Sequence, residues 1–233
     1  MLRSFALVLC LVFLAVCLVS CASVSNSGEE GSEASVLESR IEDYKAERKA
    51  AWDEHVRAIR EAGVMESELA QGRMNFGDVS MRIGVFVVGE KPEGGYPLYI
   101  ALHGGGADDT PDLNDWQWDI MKDYYRYCLD CGVYVAARGV RDTWDTHFNP
   151  ESYPLYDRLI SYMILSYDVN PNKVYIEGFS AGGDGVYAIT SRMADRFAAA
   201  NMSSGHPNYV SLDNLYNDGL ALMCNHSHSI IRI

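Results

Sequence analysis

Apolar positions change their period twice along this chain. Phe5 to Val19 is an unbroken apolar run. Further on, Leu37, Ile41, Tyr44, Trp52, Val56 and Ile59 recur at helical spacing, and Gly63 supplies a stop. Ser35-Val36-Leu37-Glu38 has the S-x-x-E pattern of a capping box, so a helix is expected to begin there. From residue 81 short apolar runs alternate with longer amphipathic stretches. Strands are expected at Met81–Val88, Tyr96–Leu102, Val133–Ala137, Val174–Glu177 and Phe197–Met202, with helices near 113–130, 153–167 and 181–196. Residues 90–95 and 170–173 have turn composition. Strand–helix–strand repetition predicts an α/β fold with a mostly parallel sheet and helices on both faces. Ligands of such sheets bind at the carboxyl ends of the strands.

The first apolar run reads as targeting rather than structure. Arg3 precedes it, and it is short for a bilayer span, which needs about 20 residues. Leu18-Val19-Ser20-Cys21 follows and resembles the lipobox of bacterial lipoproteins, which implies a lipid on Cys21 and export to the cell envelope. The expected divisions are a signal peptide over 1–21, a Ser-, Gly- and Glu-rich tether over 22–34, a helical segment over 35–75 and an α/β domain over 76–233.

Charge narrows the partners. The net charge is −13, from 32 acidic and 19 basic side chains, which argues against nucleic acid. A neutral substrate suits it better. Beyond the signal and Cys21, the cysteines are Cys128, Cys131 and Cys224. The C-x-x-C of Cys128 and Cys131 has no second pair or histidine cluster beside it, so both are read as small buried hydrophobes and no metal is expected. No nucleotide-binding loop or cofactor signal occurs, and no cofactor is expected.

Two motifs carry chemistry. Gly178-Phe179-Ser180-Ala181-Gly182 matches G-x-S-x-G with a strand before it and a helix after it. Such a turn holds a serine hydroxyl exposed at the sheet edge. His103-Gly104-Gly105-Gly106 ends the strand Tyr96–Leu102, where residues without side chains let backbone N–H groups approach an oxyanion. Ser180 is the candidate nucleophile; Ala181 and Gly104 or Gly105 are the candidate oxyanion donors. Trp144 and His147, in the loop after the strand Val133–Ala137, are candidate pocket residues.

Residues 80–217 resemble the α/β-hydrolase superfamily, nearest to its esterase and polyhydroxybutyrate-depolymerase-like branch with feruloyl-esterase-like members. The stretches YPLYIALHGGG, YVAARG, SYPLYDRLI, VYIEGFSAGGDGVY and RMADRFAAANMSSGHPN carry the resemblance. It implies a serine hydrolase acting on small-molecule or polymeric esters. Prolyl-oligopeptidase-like peptidase activity and a catalytically incomplete surface binding protein stay open beside it.

The family order is Ser, then acid, then His. His206 comes earlier than the family's base, while His226 and His228 lie in a polar tail behind Asp213 and Asp218. His103 belongs to the glycine-loop motif, and His55 is on the first helix. The expectation is a truncated member or fragment whose sheet lacks its C-terminal strands and whose acid and base are unassigned.

Overall fold

The computed structural model describes residues 29–215, 221–226 and 229–231. The apolar run, Cys21, residues 22–28 of the expected tether, Asp218 and His228 lie outside these, as do the side chains of Cys224 and His226. The chain divides into two units, Met1–Glu61 and Ala62–Ile233.

Helix α1 spans Glu29–Ala62 and so starts ahead of the capping box at Ser35. Residues 29–34 of the expected tether are its first turns, because glutamate and alanine favour a helix once one is under way. Leu37, Ile41 and Tyr44 are exposed on it, whereas Val56 and Ile59 are buried. No helix among the described residues is long and apolar enough to cross a membrane.

The second unit is built on an eight-stranded sheet. Its elements are α2 (Met65–Gln71), β1 (Arg73–Phe76), β2 (Val79–Val88), β3 (Tyr96–Leu102), α3 (Pro111–Tyr124), β4 (Gly132–Ala137), α4 (Ser152–Tyr167), β5 (Val169–Phe179), α5 (Ala181–Arg192), β6 (Ala199–Ser203), β7 (Ala221–His226) and β8 (Ser229–Ile231). The strand order is β1-β2-β4-β3-β5-β6-β7-β8. Strands β4, β3, β5, β6 and β7 run parallel, while β1, β2 and β8 pair antiparallel. Order reverses at β3, with β4 on one side and β5 on the other. A right-handed crossover therefore places α3 on one face of the sheet and α4 and α5 on the opposite one. Every residue of β4 is buried, as a strand covered on both faces requires.

Four expectations change. The segment expected to be helical to residue 75 ends in β1, a short edge strand in which only Met74 is buried, so its apolar pattern is faint. Residues 170–173, expected as a turn, are looped out within β5: Tyr96 pairs with Val169 and Leu98 with Val174. Pro171 cannot donate to the ladder, and Asn170 accepts the Asn172 N–H instead (2.9 Å). The sheet also continues past β6 through β7 and β8, two short strands whose apolar residues, Ala221 to Cys224 and Ile230 to Ile231, run together without alternation. Cys128, read as buried, is exposed, and both it and Cys131 are free thiols.

Alternation along the strands divides the core. Ala101, Tyr134 and Ala136 face α3 and pack with Met121, Trp118, Tyr125 and Phe179. Glu177, two residues before Phe179, lies on the same face, opposite Ala101 and Asn201 in register. Its Oε1 is buried with no hydrogen-bond partner among the described residues. Burial pushes this carboxyl up to about 7. The fold thus favours the neutral acid over the carboxylate. The contribution of Glu177 to stability is greatest below the ordinary glutamate range and falls as pH rises from about 4.5 to about 7. At most a few kcal/mol is at stake, since each pKa unit corresponds to about 1.4 kcal/mol. Glu177→Gln is expected to raise the urea midpoint at pH 8 and to change it much less at pH 4.5. Equal shifts at both values would contradict this reading.

Candidate active site

Ser180 sits between β5 and α5 with φ 56° and ψ −118°, a backbone conformation that L-residues rarely adopt. Its strain is held in place by hydrogen bonds on both sides. The Ser180 N–H donates to Ser203 O of β6 (2.9 Å), and Ser180 O accepts the Asp184 N–H (3.0 Å). The flanking glycines permit the tight passage. A methyl group at Gly178 would lie 2.2 Å from Gly182 O, and one at Gly182 would lie 2.2 Å from Leu102 O. Ser180 itself is exposed. The result is a serine raised on a sharp corner, with the α5 N-terminus behind it to favour negative charge.

The glycine loop after β3 lies against this corner. A methyl at Gly104 would be 3.5 Å from Ser180 Cβ and 3.1 Å from Gln117 Oε1. Gly105 has φ +104°, and a methyl there would fall 2.4 Å from Asn114 Oδ1, so only glycine fits. Among the described residues no hydrogen bond occupies the Gly104 or Gly105 N–H. The Ala181 N–H, at the start of α5, has no intrahelical acceptor. The glycine loop therefore lies beside the corner, with Gly104 next to Ser180 and Gly106 next to Ala181.

A closed circuit of hydrogen bonds fixes the loop. Gly106 N–H donates to Asn114 Oδ1 (2.9 Å), and Asn114 Nδ2 donates to Asp142 Oδ1 (2.7 Å). Arg138 Nη2 donates to the same Asp142 oxygen (2.5 Å) and Nη1 donates to Gly139 O (2.9 Å). Gly139 N–H then donates to His103 Nε2 (3.0 Å), which returns the circuit to the loop. Arg138 is buried and also donates to Asp115 Oδ1 (3.0 Å), which Arg82 shares. Burial pushes the Asp115 carboxyl up, but the hydrogen bonds from Arg82 and Arg138 outweigh it and leave it below its usual value. None of Asn114, Asp142 or Arg138 stood out in the sequence, because partners so far apart in the chain leave no periodic trace.

The two buried histidines are structural. His103 accepts from Gly139 at Nε2, so Nδ1 carries the proton and donates to Gly104 O (2.5 Å). Burial chiefly pushes its pKa down to about 4. His147, expected to line the pocket, is fully buried instead. Its Nε2–H donates to His103 O (2.9 Å), and Nδ1 accepts from Tyr156 Oη (3.1 Å). Burial holds its pKa well below the ordinary histidine value. With both nitrogens engaged behind the loop, it is placed to support the site rather than meet a ligand.

Trp144 is placed differently. Its side chain is 53% exposed, and its ring packs edge-on against Phe148 at 5.1 Å. Its N–H donates to Asp108 Oδ1 (3.2 Å). A methyl at Gly106 would lie 3.0 Å from both Trp144 O and Ala181 Cβ, which sets Trp144 beside Ala181 and the glycine loop. His206 is exposed in the loop after β6, next to Asp184 of α5. Among the described residues no group of His, Cys, Asp and Glu could hold a metal ion.

Asn114→Ala strands the buried Gly106 N–H and breaks the circuit. It is expected to cost about 1–3 kcal/mol of stability by urea denaturation. A midpoint unchanged from the parent would show that the circuit does not brace the loop.

No protein-family model matches the chain. It is 29% identical over 109 residues to a bifunctional acetylxylan esterase/xylanase from Neocallimastix patriciarum, a match covering 47% of this chain and 16% of that protein. Similar solved structures include a thermostable esterase, 22% identical with TM-score 0.47, covering 64% of this chain and 44% of the other. A poly(3-hydroxybutyrate) depolymerase from Bordetella parapertussis is 16% identical with TM-score 0.48, covering 66% and 65%. Est1E from Butyrivibrio proteoclasticus is 16% identical with TM-score 0.40, covering 59% and 53%. The chain spans less than two thirds of the length of each of these proteins. The fold assignment rests on the chain's own topology: its strand order, the strained serine corner after β5 and the glycine loop after β3 are those of an α/β-hydrolase fold.

Proposed function

We propose that this chain is a serine hydrolase of the cell envelope that cleaves carboxylic esters. The observation that carries the reading is the exposed, strained Ser180 set against the unoccupied N–H groups of the glycine loop. In this reading the Ser180 Oγ attacks the acyl carbon. The carbonyl oxygen, becoming an oxyanion, receives hydrogen bonds from Ala181 N–H and from Gly104 or Gly105 N–H. Each such donor contributes about 3 kcal/mol to the transition state because it is fixed before the reaction begins. Loss of the alcohol leaves an acyl-enzyme, and water releases the acid.

Esters are favoured over peptides by the likeness to an acetylxylan esterase, which also supports a short acyl group on a carbohydrate. The exposed indole of Trp144 at the rim suits a ring on either side of the scissile bond. Envelope location rests on the lipobox-like Leu18-Val19-Ser20-Cys21, with the lipid on Cys21.

The test is hydrolysis of p-nitrophenyl acetate and of a peptide p-nitroanilide by the full chain, with Ser180→Ala beside it. The ester is expected to turn over, the anilide much more slowly, and Ser180→Ala is expected to lose about 10³-fold or more in kcat. Ester turnover unchanged by Ser180→Ala would refute the assignment.

A further inference from the structure

Parallel strands are ordinarily covered on both faces, and here one face is short of cover. Toward α5, β5 buries Val174, Ile176 and Gly178; toward α3, Tyr175, Glu177 and Phe179 are only half-buried. β6 repeats the pattern. Ala200 and Met202 are buried, while Ala199, Asn201 and Ser203, in register with the half-buried residues of β5, are themselves half-buried. α3 packs over β3 and β4, which leaves the strip over β5 and β6 beside it.

α3 is itself apolar on its outer side. Leu113, Trp116, Ile120 and Tyr124 recur at intervals of three or four and fall within an arc of about 80°. Tyr127, in the turn after the helix, extends the stripe. These five side chains are 39–80% exposed. The buried residues of α3, Asn114 and Met121, lie on a different face. The Tyr124 ring meets that of Phe179 at 5.8 Å, so the stripe borders the half-covered strip. Stripe and strip form a seat about two strands wide, roughly 10 Å, which is the diameter of one helix.

We propose that this face is where a second copy of the chain docks, forming a two-fold dimer in which the two α3 helices lie antiparallel. Each α3 then fills the other copy's seat, as a self-complementary patch allows. The area fits. The exposed parts of the five side chains make an apolar patch of roughly 500 Å², near the top of what a monomer leaves bare. A stable dimer buries about 800 Å² on each partner, and the strip over β5 and β6 supplies the remainder. The charges fit as well. The first turn of α3 carries Asp112, which has no ion pair among the described residues, whereas Lys122 is in its last turn and Arg126 follows. Antiparallel pairing sets the acidic end of one helix against the basic end of the other and opposes their dipoles. Ile120 is midway along the stripe, so it falls beside the two-fold axis and meets its counterpart in the second copy.

The experiment is sedimentation equilibrium of the full chain from about 1 to 100 μM, with Trp116→Glu and Ile120→Glu beside it. A dimer is expected, and either glutamate is expected to weaken it at least about tenfold, because a carboxylate would be buried among apolar side chains. Circular dichroism, at a dilution where the parent is monomeric, checks that both variants fold. A second measurement does not depend on them. A short bismaleimide is applied to the full chain carrying one added cysteine, and linked peptides are mapped by mass. Ile120→Cys is expected to link to itself across the dimer. Leu113→Cys and Tyr127→Cys are each expected not to link to themselves, but to link to each other when mixed. A chain that stays monomeric throughout the range overturns the proposal. So does a dimer that tolerates both glutamates or gives no link at Ile120→Cys, because its contact then lies elsewhere. Linking of Leu113→Cys to itself overturns the antiparallel arrangement.

Discussion

The φ of 56° at Ser180 is the constraint on which the rest of the site depends. A non-glycine residue in this conformation costs about 1–3 kcal/mol, so it persists only where the surroundings over-determine it. Here β6 holds the N–H side, α5 holds the carbonyl side, and Gly178 and Gly182 let helix and strands approach more closely than any side chain would allow. The sheet topology supplies the rest. Because order reverses at β3, the loop after β3 and the corner after β5 are neighbours, and the glycine loop comes to lie beside the serine.

Two polar assemblies stabilise this geometry from opposite sides. On the side of β4, a circuit through Gly106, Asn114, Asp142, Arg138, Gly139 and His103 fixes the glycine loop while leaving the Gly104 and Gly105 N–H groups out of it. On the side of β6, Asp184 ties the following loop to the first turn of α5 through His206 and Asn208. The first assembly is largely buried and holds two neutral histidines in fixed tautomers, where a charge would be costly. The second is more open to water, with His206 exposed. Burial thus separates His103 and His147, which support the loop, from the exposed His206.

Much of the central architecture was legible in the sequence. β3 was anticipated from Tyr96 to Leu102, since a continuous apolar run meets a glycine block there. The strand–serine–helix order around Ser180 was equally plain, because its glycines mark a turn that few other contexts require. Edge elements were not: β1 buries only Met74, and β7 and β8 lie in a stretch without apolar alternation. His147 was placed in the pocket because it follows a strand's carboxyl end. Burial reversed that, since Tyr156, nine residues on, and His103, 44 residues back, satisfy both of its nitrogens. The same holds for Asp184, whose tie to His206 exists only once β6 has turned back over α5. Periodicity reports faces of elements; it carries no signal for polar partners brought together by loops.

The claim most open to direct test is that the corner presents an activated serine. Reaction of the full chain with a fluorophosphonate probe, followed by mass mapping of the modified peptide, tests it. The account predicts one rapid modification, located on Ser180 and abolished by prior unfolding. A folded chain left unmodified, or modified at another residue, would contradict it.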